Sequence, residues 1–231
     1  MYYDATYIIL IPAIILTFWA QFKVKSNFNK YSEVRNARGL TGAQAARIML
    51  DANGLNDIPI NQIAGSLTDH YDPTKRTVSL SQTVYGADSI AAVAVACHEI
   101  GHAIQHSEEY GPLKFRSSIV PVVNLTSKLS WPLAIIGLVL LSSGLYIGDT
   151  IFMIGVAFFG AVVLFHLVTL PVELNASKRA LKQIEELGIV TADEKHGAKK
   201  VLKAAAMTYV AALATALANM LRLLAMRGRR N

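Results

Sequence analysis

Four stretches of this 231-residue chain contain no Asp, Glu, Lys or Arg: Ala5 to Phe22, Leu129 to Gly148, Thr150 to Val172 and Ala204 to Leu221. They run for 18, 20, 23 and 18 residues. A helix needs roughly 20 apolar residues to cross the hydrocarbon core of a bilayer, so these lengths point to membrane spans. Only 16% of the whole chain is charged. With the four runs removed, the remainder carries about 25% charge, the average of a soluble domain. The composition is therefore that of a soluble domain interrupted by membrane-length segments. A single Cys, 15 Gly and 7 Pro exclude a disulfide scaffold, a collagen-like repeat and a disordered chain.

The first run follows an acidic MYYD rather than a basic leader, and no small-x-small cleavage pattern comes after it, so it reads as a retained anchor. The second and third are joined only through Ile147, Gly148 and Asp149, which predicts a tight antiparallel membrane hairpin. Lys and Arg are enriched in cytoplasmic loops. Here they follow span one (Lys23, Lys25, Lys30, Arg35, Arg38), precede span two (Lys114, Arg116, Lys128) and follow span three (Lys178, Arg179, Lys182), while the N-terminus and hairpin tip hold only Asp4 and Asp149. The expected arrangement has the N-terminus outside and the polar bulk in the cytoplasm. The net charge of +6 then complements an anionic membrane surface; the charges flank spans instead of forming a stripe with aromatics, so nucleic acid is not expected as a partner.

The fourth run is Ala-rich and is followed by Arg222, Arg227, Arg229 and Arg230. If it crossed, those arginines would lie outside, against the charge rule. Two readings stand: a span, or a helix lying at the interface or packed on the polar domain.

Between Lys23 and Lys128 the pattern is that of a small α/β unit. Thr41 is a helix N-cap candidate and Gly54 a stop, with apolar residues at helical spacing between them. INQIAGSL and RTVSLS, separated by the turn-like YDPTK, are expected to form a hairpin with Val78 and Leu80 on one face and Thr77, Ser79 and Ser81 on the other. A helix is predicted from about Ser89 to Glu109. It contains HEIGH, with His98, Glu99, Gly101 and His102. Residues i and i+4 share a helix face, so both imidazoles can reach one metal ion, and Glu99 can address a metal-bound water without being a ligand. Two neutral nitrogens hold zinc, an open position holds water, and a carboxylate takes its proton.

Two histidines do not complete a zinc site. The candidate third ligand is Glu173, in LPVELNASKRAL directly after span three, because two crossings return the chain to the side it left. Asn175 and Ser177 follow at spacings suited to hydrogen bonds with the ligands. His70, Tyr71, His196 and Tyr209 are candidates to stabilise an oxyanion, and the sequence does not choose among them. His106, one turn past His102, is expected to face solvent, with a ligand role as the alternative. Cys97 reads as a small buried residue, and His166 snorkels, pairs within the membrane bundle or lines a path to the site.

DHYDPTKRTVSLS, AVAVACHEIGHAIQH and LPVELNASKRAL, in order between an anchor and a later hairpin of spans, resemble the bacterial YugP-type neutral zinc metallopeptidase family. That family is similar in layout to HtpX-type membrane proteases and prenyl-protein proteases. The resemblance implies an α-helical integral membrane protein with a small α+β gluzincin-like domain, ligands at His98, His102 and Glu173, a catalytic Glu99 and one Zn2+ per chain in a bacterial cell membrane. One departure is plain: the HtpX-type pattern reads Glu-x-x-Ala-Asp, and here Ser177 stands in place of the Asp.

The layout expected is an anchor (5–22), a cytoplasmic peptidase domain (23–128), a membrane hairpin (129–172), a second catalytic part carrying Glu173 (173–203) and an apolar helix with a basic tail (204–231). The expected activity is hydrolysis of peptide bonds in unfolded or membrane proteins by a Glu-activated, zinc-bound water, as in quality control, with substrate laid as a strand along Thr77 to Ser81. The alternatives are a membrane scaffold or chaperone whose metal site is closed by His106, and a zinc hydrolase acting on a non-peptide substrate.

Overall fold

The computed structural model describes residues 5–228. Asp4, Arg229 and Arg230, used in the charge argument, lie outside the described residues. The chain forms two compact units: Met1–Trp19, Phe115–Leu170 and Tyr209–Asn231 make one, and Ala20–Lys114 with Pro171–Thr208 make the other. They are called the apolar and the polar unit below. A 3-10 helix (Ala5–Leu10) leads into α1 (Ile11–Ser32).

In the polar unit, α2 (Gly42–Ala52) begins at Thr41, whose hydroxyl accepts from the Gln44 amide while the Gln44 side chain accepts from the Thr41 amide. This reciprocal cap satisfies two of the donors that a helix start leaves open. The helix buries Ala45, Ala46, Met49 and Leu50 on one stripe. Three strands follow, β1 (Ile60–Ile63), β2 (His70–Asp72) and β3 (Thr77–Ser81), in the order β1-β3-β2.

This sheet corrects the expected hairpin. β3 pairs antiparallel with β2 across the Asp72–Arg76 turn, but it pairs parallel with β1, Ile60 opposite Val78 and Ile63 opposite Ser81. β3 is the central strand, with main-chain partners on both sides, so Thr77 to Ser81 cannot offer an edge to a substrate. Both faces of β3 are covered: Ser79 and Ser81 are buried along with Val78 and Leu80. Burial of Ser81 is tolerated because Asp69 binds both its amide, at 2.7 Å, and its hydroxyl.

After the short α3 (Gln82–Tyr85), α4 (Ile90–Ser107) starts at Ser89, whose hydroxyl accepts from the Ala92 amide at 3.1 Å. Its alanines leave room for neighbours on every side, and from Ile90 to Gln105 only Val95 and His98 escape burial. Two long helices complete the fold with α5 (Gly111–Ser142): α6 (Ile147–Glu186) and α7 (Ala192–Gly228). The polar-unit part of α6 crosses α4 at Gly101, where a Cβ would lie 2.6 Å from the Ala176 carbonyl oxygen. Only glycine permits this approach. Further along α6, Gln183 and Asn53 exchange side-chain hydrogen bonds of 2.6 and 2.9 Å, fastening the helix to the end of α2.

The apolar unit is a helix assembly. α5 and α6 meet closely where Gly137 faces the backbone of Phe152 and Gly155 faces Ala134 and Ser130. The bend falls at 143–146, with Gly144 at φ +79°, so Ile147, Gly148 and Asp149 open α6 instead of forming the tip. Phe152, Ala134, Ala216 and Leu223 form a small core. Large apolar side chains such as Ile15, Phe18, Leu125 and Val139 point outward, more than half exposed, as lipid-facing residues do.

Among the described residues, four helical segments are long and apolar enough to cross a membrane: Ala5–Ser32, Gly111–Ser142, Ile147–Glu186 and Ala192–Gly228. Two of the arginines that counted against the last of these, Arg222 and Arg227, have partners that the sequence does not reveal. Arg227 forms a two-pronged ion pair with Asp149 at 2.8 and 2.9 Å. Arg222 is buried, with its guanidinium 3.8 Å from the Tyr7 ring centre and its Nε donating to the Thr6 hydroxyl at 3.3 Å.

Candidate metal centre

His98 and His102 occupy successive turns of α4, and their rings meet edge to face with centres 4.8 Å apart. Glu173 comes from α6 and places Oε2 3.3 Å from both Nε2 atoms. Among the described residues, these three form the one group of His, Cys, Asp and Glu side chains able to hold a metal ion, with ligand atoms all within 4.8 Å of one another. Ligands about 2.0–2.1 Å from a tetrahedral zinc stand roughly 3.3 Å apart, which matches the two nitrogen–oxygen separations. The donor set therefore fits Zn2+.

The atoms behind the ligands bear this out. Gln105 is fully buried, and its Nε2 donates to the Val172 carbonyl at 2.8 Å and to Asn175 Oδ1 at 2.9 Å. A carbonyl only accepts, so the Gln105 amide is fixed with Oε1 toward His102 Nδ1, 3.0 Å away. Nδ1 must then carry the proton, which leaves the Nε2 lone pair aimed at Glu173. Asn175 is oriented in the same manner, because its Oδ1 also accepts from Arg179 Nε at 2.8 Å. Arg179 pairs in turn with Glu108 at 2.7 Å. On His98, Nδ1 lies 3.1 Å from the Ser177 hydroxyl, so a serine supplies an oxygen where the HtpX-type pattern has a carboxylate.

Charge favours a cation here. Glu99 is buried beside His98, and Glu173 is buried between the imidazoles. Burial works against a charge on His102, yet the Glu173 carboxylate and the Glu99 charge outweigh it and hold the imidazole above its ordinary pKa. A site that stabilises positive charge on a buried ligand also stabilises a dication among its ligands. Cys97, adjacent in sequence, takes no part: burial pushes its thiol up to about 12, so it stays protonated.

The remaining candidates are dispersed. His106 does not face solvent. It is half-buried, with Nδ1 2.8 Å from the Tyr71 hydroxyl, and it is not among the side chains grouped with His98, His102 and Glu173, so it does not close the site as a fourth ligand. His70 is exposed, its Nδ1 2.9 Å from the Thr68 carbonyl oxygen. His196 is exposed on the first turns of α7, and Tyr209 belongs to the apolar unit. Sequence reasoning missed Gln105, Arg179 and Gly101. The available signal was position: Gln105 lies three residues past His102, on the same helix face.

The sequence matches, over residues 6–228, the family described as "Putative neutral zinc metallopeptidase". It is 52% identical over 212 residues to the "Putative membrane protease YugP" of Bacillus subtilis (strain 168), covering 92% of each chain. No solved structure matches. With a family match over nearly its whole length, and three side chains from two helices grouped so that they could hold a metal ion, this membrane-embedded chain belongs to the neutral zinc metallopeptidase family.

Proposed function

We propose that the protein is a zinc-dependent endopeptidase of the membrane, with His98, His102 and Glu173 as ligands and Glu99 as the general base. The observation that carries this reading is the convergence of two Nε2 atoms and one carboxylate oxygen at 3.3 Å, next to a second buried carboxylate that is not part of the ligand group. Zn2+ bound there would supply Lewis acidity, polarising a scissile carbonyl and acidifying a water at the position the three ligands leave open.

The chain's own residues supply the rest. Gln105 and Ser177 hold the imidazoles by their Nδ1 atoms, so the rings do not turn as charge develops. Glu99 takes a proton from the attacking water. As the carbon–nitrogen bond breaks, Glu99 returns that proton to the leaving nitrogen, giving a carboxylate and an amine. Glu99→Gln is expected to retain zinc while cleavage of an unfolded protein falls by about 10²–10⁴-fold. Undiminished cleavage by the purified variant would remove Glu99 from the mechanism.

The polar unit is proposed to lie in the cytoplasm, and the N-terminus and hairpin tip outside, from the distribution of Lys and Arg around the runs. α7 is proposed as a fourth span, its C-terminal end joining them. Support comes from Arg227 on Asp149 and Arg222 on Thr6 and Tyr7, which attach that end to the tip of the hairpin and to the N-terminal segment. The single, buried Cys97 makes introduced cysteines specific reporters. On intact cells an impermeant maleimide should label Tyr146→Cys and Gly228→Cys but not Lys75→Cys; labelling of Lys75→Cys reverses the orientation, and protection of Gly228→Cys removes the fourth span.

A further inference from the structure

In the polar unit, α6 and the first half of α7 line a groove of about 460 Å³. Its floor is apolar, built from Leu174 and Leu181 on α6 and Leu202 and Ala206 on α7. Its rim carries five lysines and one acid, with Lys178, Lys182 and Glu185 on α6 and Lys195, Lys199 and Lys203 on α7. The two elements of an amphiphile's recognition, a greasy trough and a row of ammonium groups, are thus in one place.

The cations are not equivalent. Lys195 pairs with Glu185, and Lys182 lies 3.7 Å from Glu186. Among the described residues, no carboxylate is within ion-pair distance of Lys178, Lys199 or Lys203, and all three are exposed. These three also lie nearest the charge-free runs. Lys203 immediately precedes Ala204, Lys199 is one turn earlier, and Lys178 is six residues past Val172, about 9 Å along the helix. The paired lysines are farther away. The free positive charge is therefore graded toward the apolar runs, where the phosphates of a bilayer lie.

We propose that this groove binds an anionic phospholipid, its phosphate among Lys178, Lys199 and Lys203 and an acyl chain along the leucine floor. Lysine suits this ligand because its ammonium is a point charge with three donors, able to meet a phosphodiester from many angles. An acidic peptide arriving from water would gain nothing from a gradient directed at the apolar runs. The groove also reaches the metal centre: Ser177 lines it, and the Ser177 hydroxyl is 3.1 Å from His98 Nδ1. If the peptidase reading holds, on which this last step rests, lipid in the groove sets the cleavage rate through Ser177.

The test uses the full chain, zinc-loaded, in nanodiscs of phosphatidylcholine alone or of phosphatidylcholine with phosphatidylglycerol. Amine acylation followed by mass spectrometry reads the protection of each lysine. Phosphatidylglycerol is expected to protect Lys178, Lys199 and Lys203 by at least about fivefold, with less effect on Lys182 and Lys195. Native mass spectrometry should show retained phosphatidylglycerol on the wild type and on K178R/K199R/K203R, and its loss from K178Q/K199Q/K203Q. A control of equal charge loss, K23Q/K25Q/K30Q, should retain it. Equal protection in both lipids, or equal loss in the control, overturns the proposal. So does equal protection by soluble oligoglutamate in phosphatidylcholine discs, which would make the groove a peptide surface. Glu99→Gln should bind lipid like the wild type, so failure of the peptidase reading and failure of the lipid site are distinguishable. Where cleavage is established, phosphatidylglycerol should change its rate in the wild type and not in the triple Gln variant; an unchanged wild-type rate overturns the coupling through Ser177.

Discussion

The two units treat their polar groups in opposite ways. In the apolar unit, cations are matched locally: Arg227 takes both oxygens of Asp149, and buried Arg222 meets a hydroxyl and an aromatic face. In the polar unit, Glu99 and Glu173 are brought together around two imidazoles, and a chain of amides and an arginine braces the cluster from behind. The first arrangement makes polar groups tolerable in a lipid-facing bundle. The second concentrates negative charge and directed lone pairs in a small buried volume, at a cost that a bound dication recovers. One is a means of insertion, the other a receptor.

The comparison breaks most sharply at Glu173. Glu173→Gln is expected to lower zinc affinity by more than about 100-fold, beyond the range for residues behind the ligands, as measured by competition with a chelator. Unchanged zinc content would place the third ligand elsewhere. Gln105→Leu keeps the volume but removes the acceptor for His102 Nδ1, and should cost about 10–100-fold in zinc affinity while leaving the helices intact by circular dichroism. If affinity were unaffected, Gln105 would be only a strut between α4 and α6. Smallest of all, Arg227→Gln should leave zinc content untouched and lower the thermal midpoint slightly, less so in high salt, because the pair is partly exposed. A fall in zinc content there would show that the two units are not separable in this respect.

Much of the candidate centre was legible because its signals are local. His98, Glu99 and His102 sit within five residues, Thr41 and Ser89 announce their helices by the caps they form, and Glu173 follows a span whose length fixes the side to which the chain returns. What escaped depends on partners distant in sequence. Alternation and the YDPTK turn reveal that strands exist, but not that β1 joins β3 in parallel, with Ile60 opposite Val78, 18 positions away. Gln105 carries no signal of its own in the sequence, because its partners Val172 and Asn175 lie 67 and 70 positions away. Arg227 looks like an obstacle to crossing until Asp149 stands opposite.

Gly101 admits α6 to the face of α4, and the residue delivered there, Glu173, lies beyond the whole membrane hairpin in the order of synthesis. A nascent chain that has made HEIGH holds two of the three proposed ligands and no more. The third emerges only after the hairpin has left the ribosome. On the proposed ligand set, the order of the gene acts as a safety catch: the three side chains cannot come together before the proposed spans between them have been made.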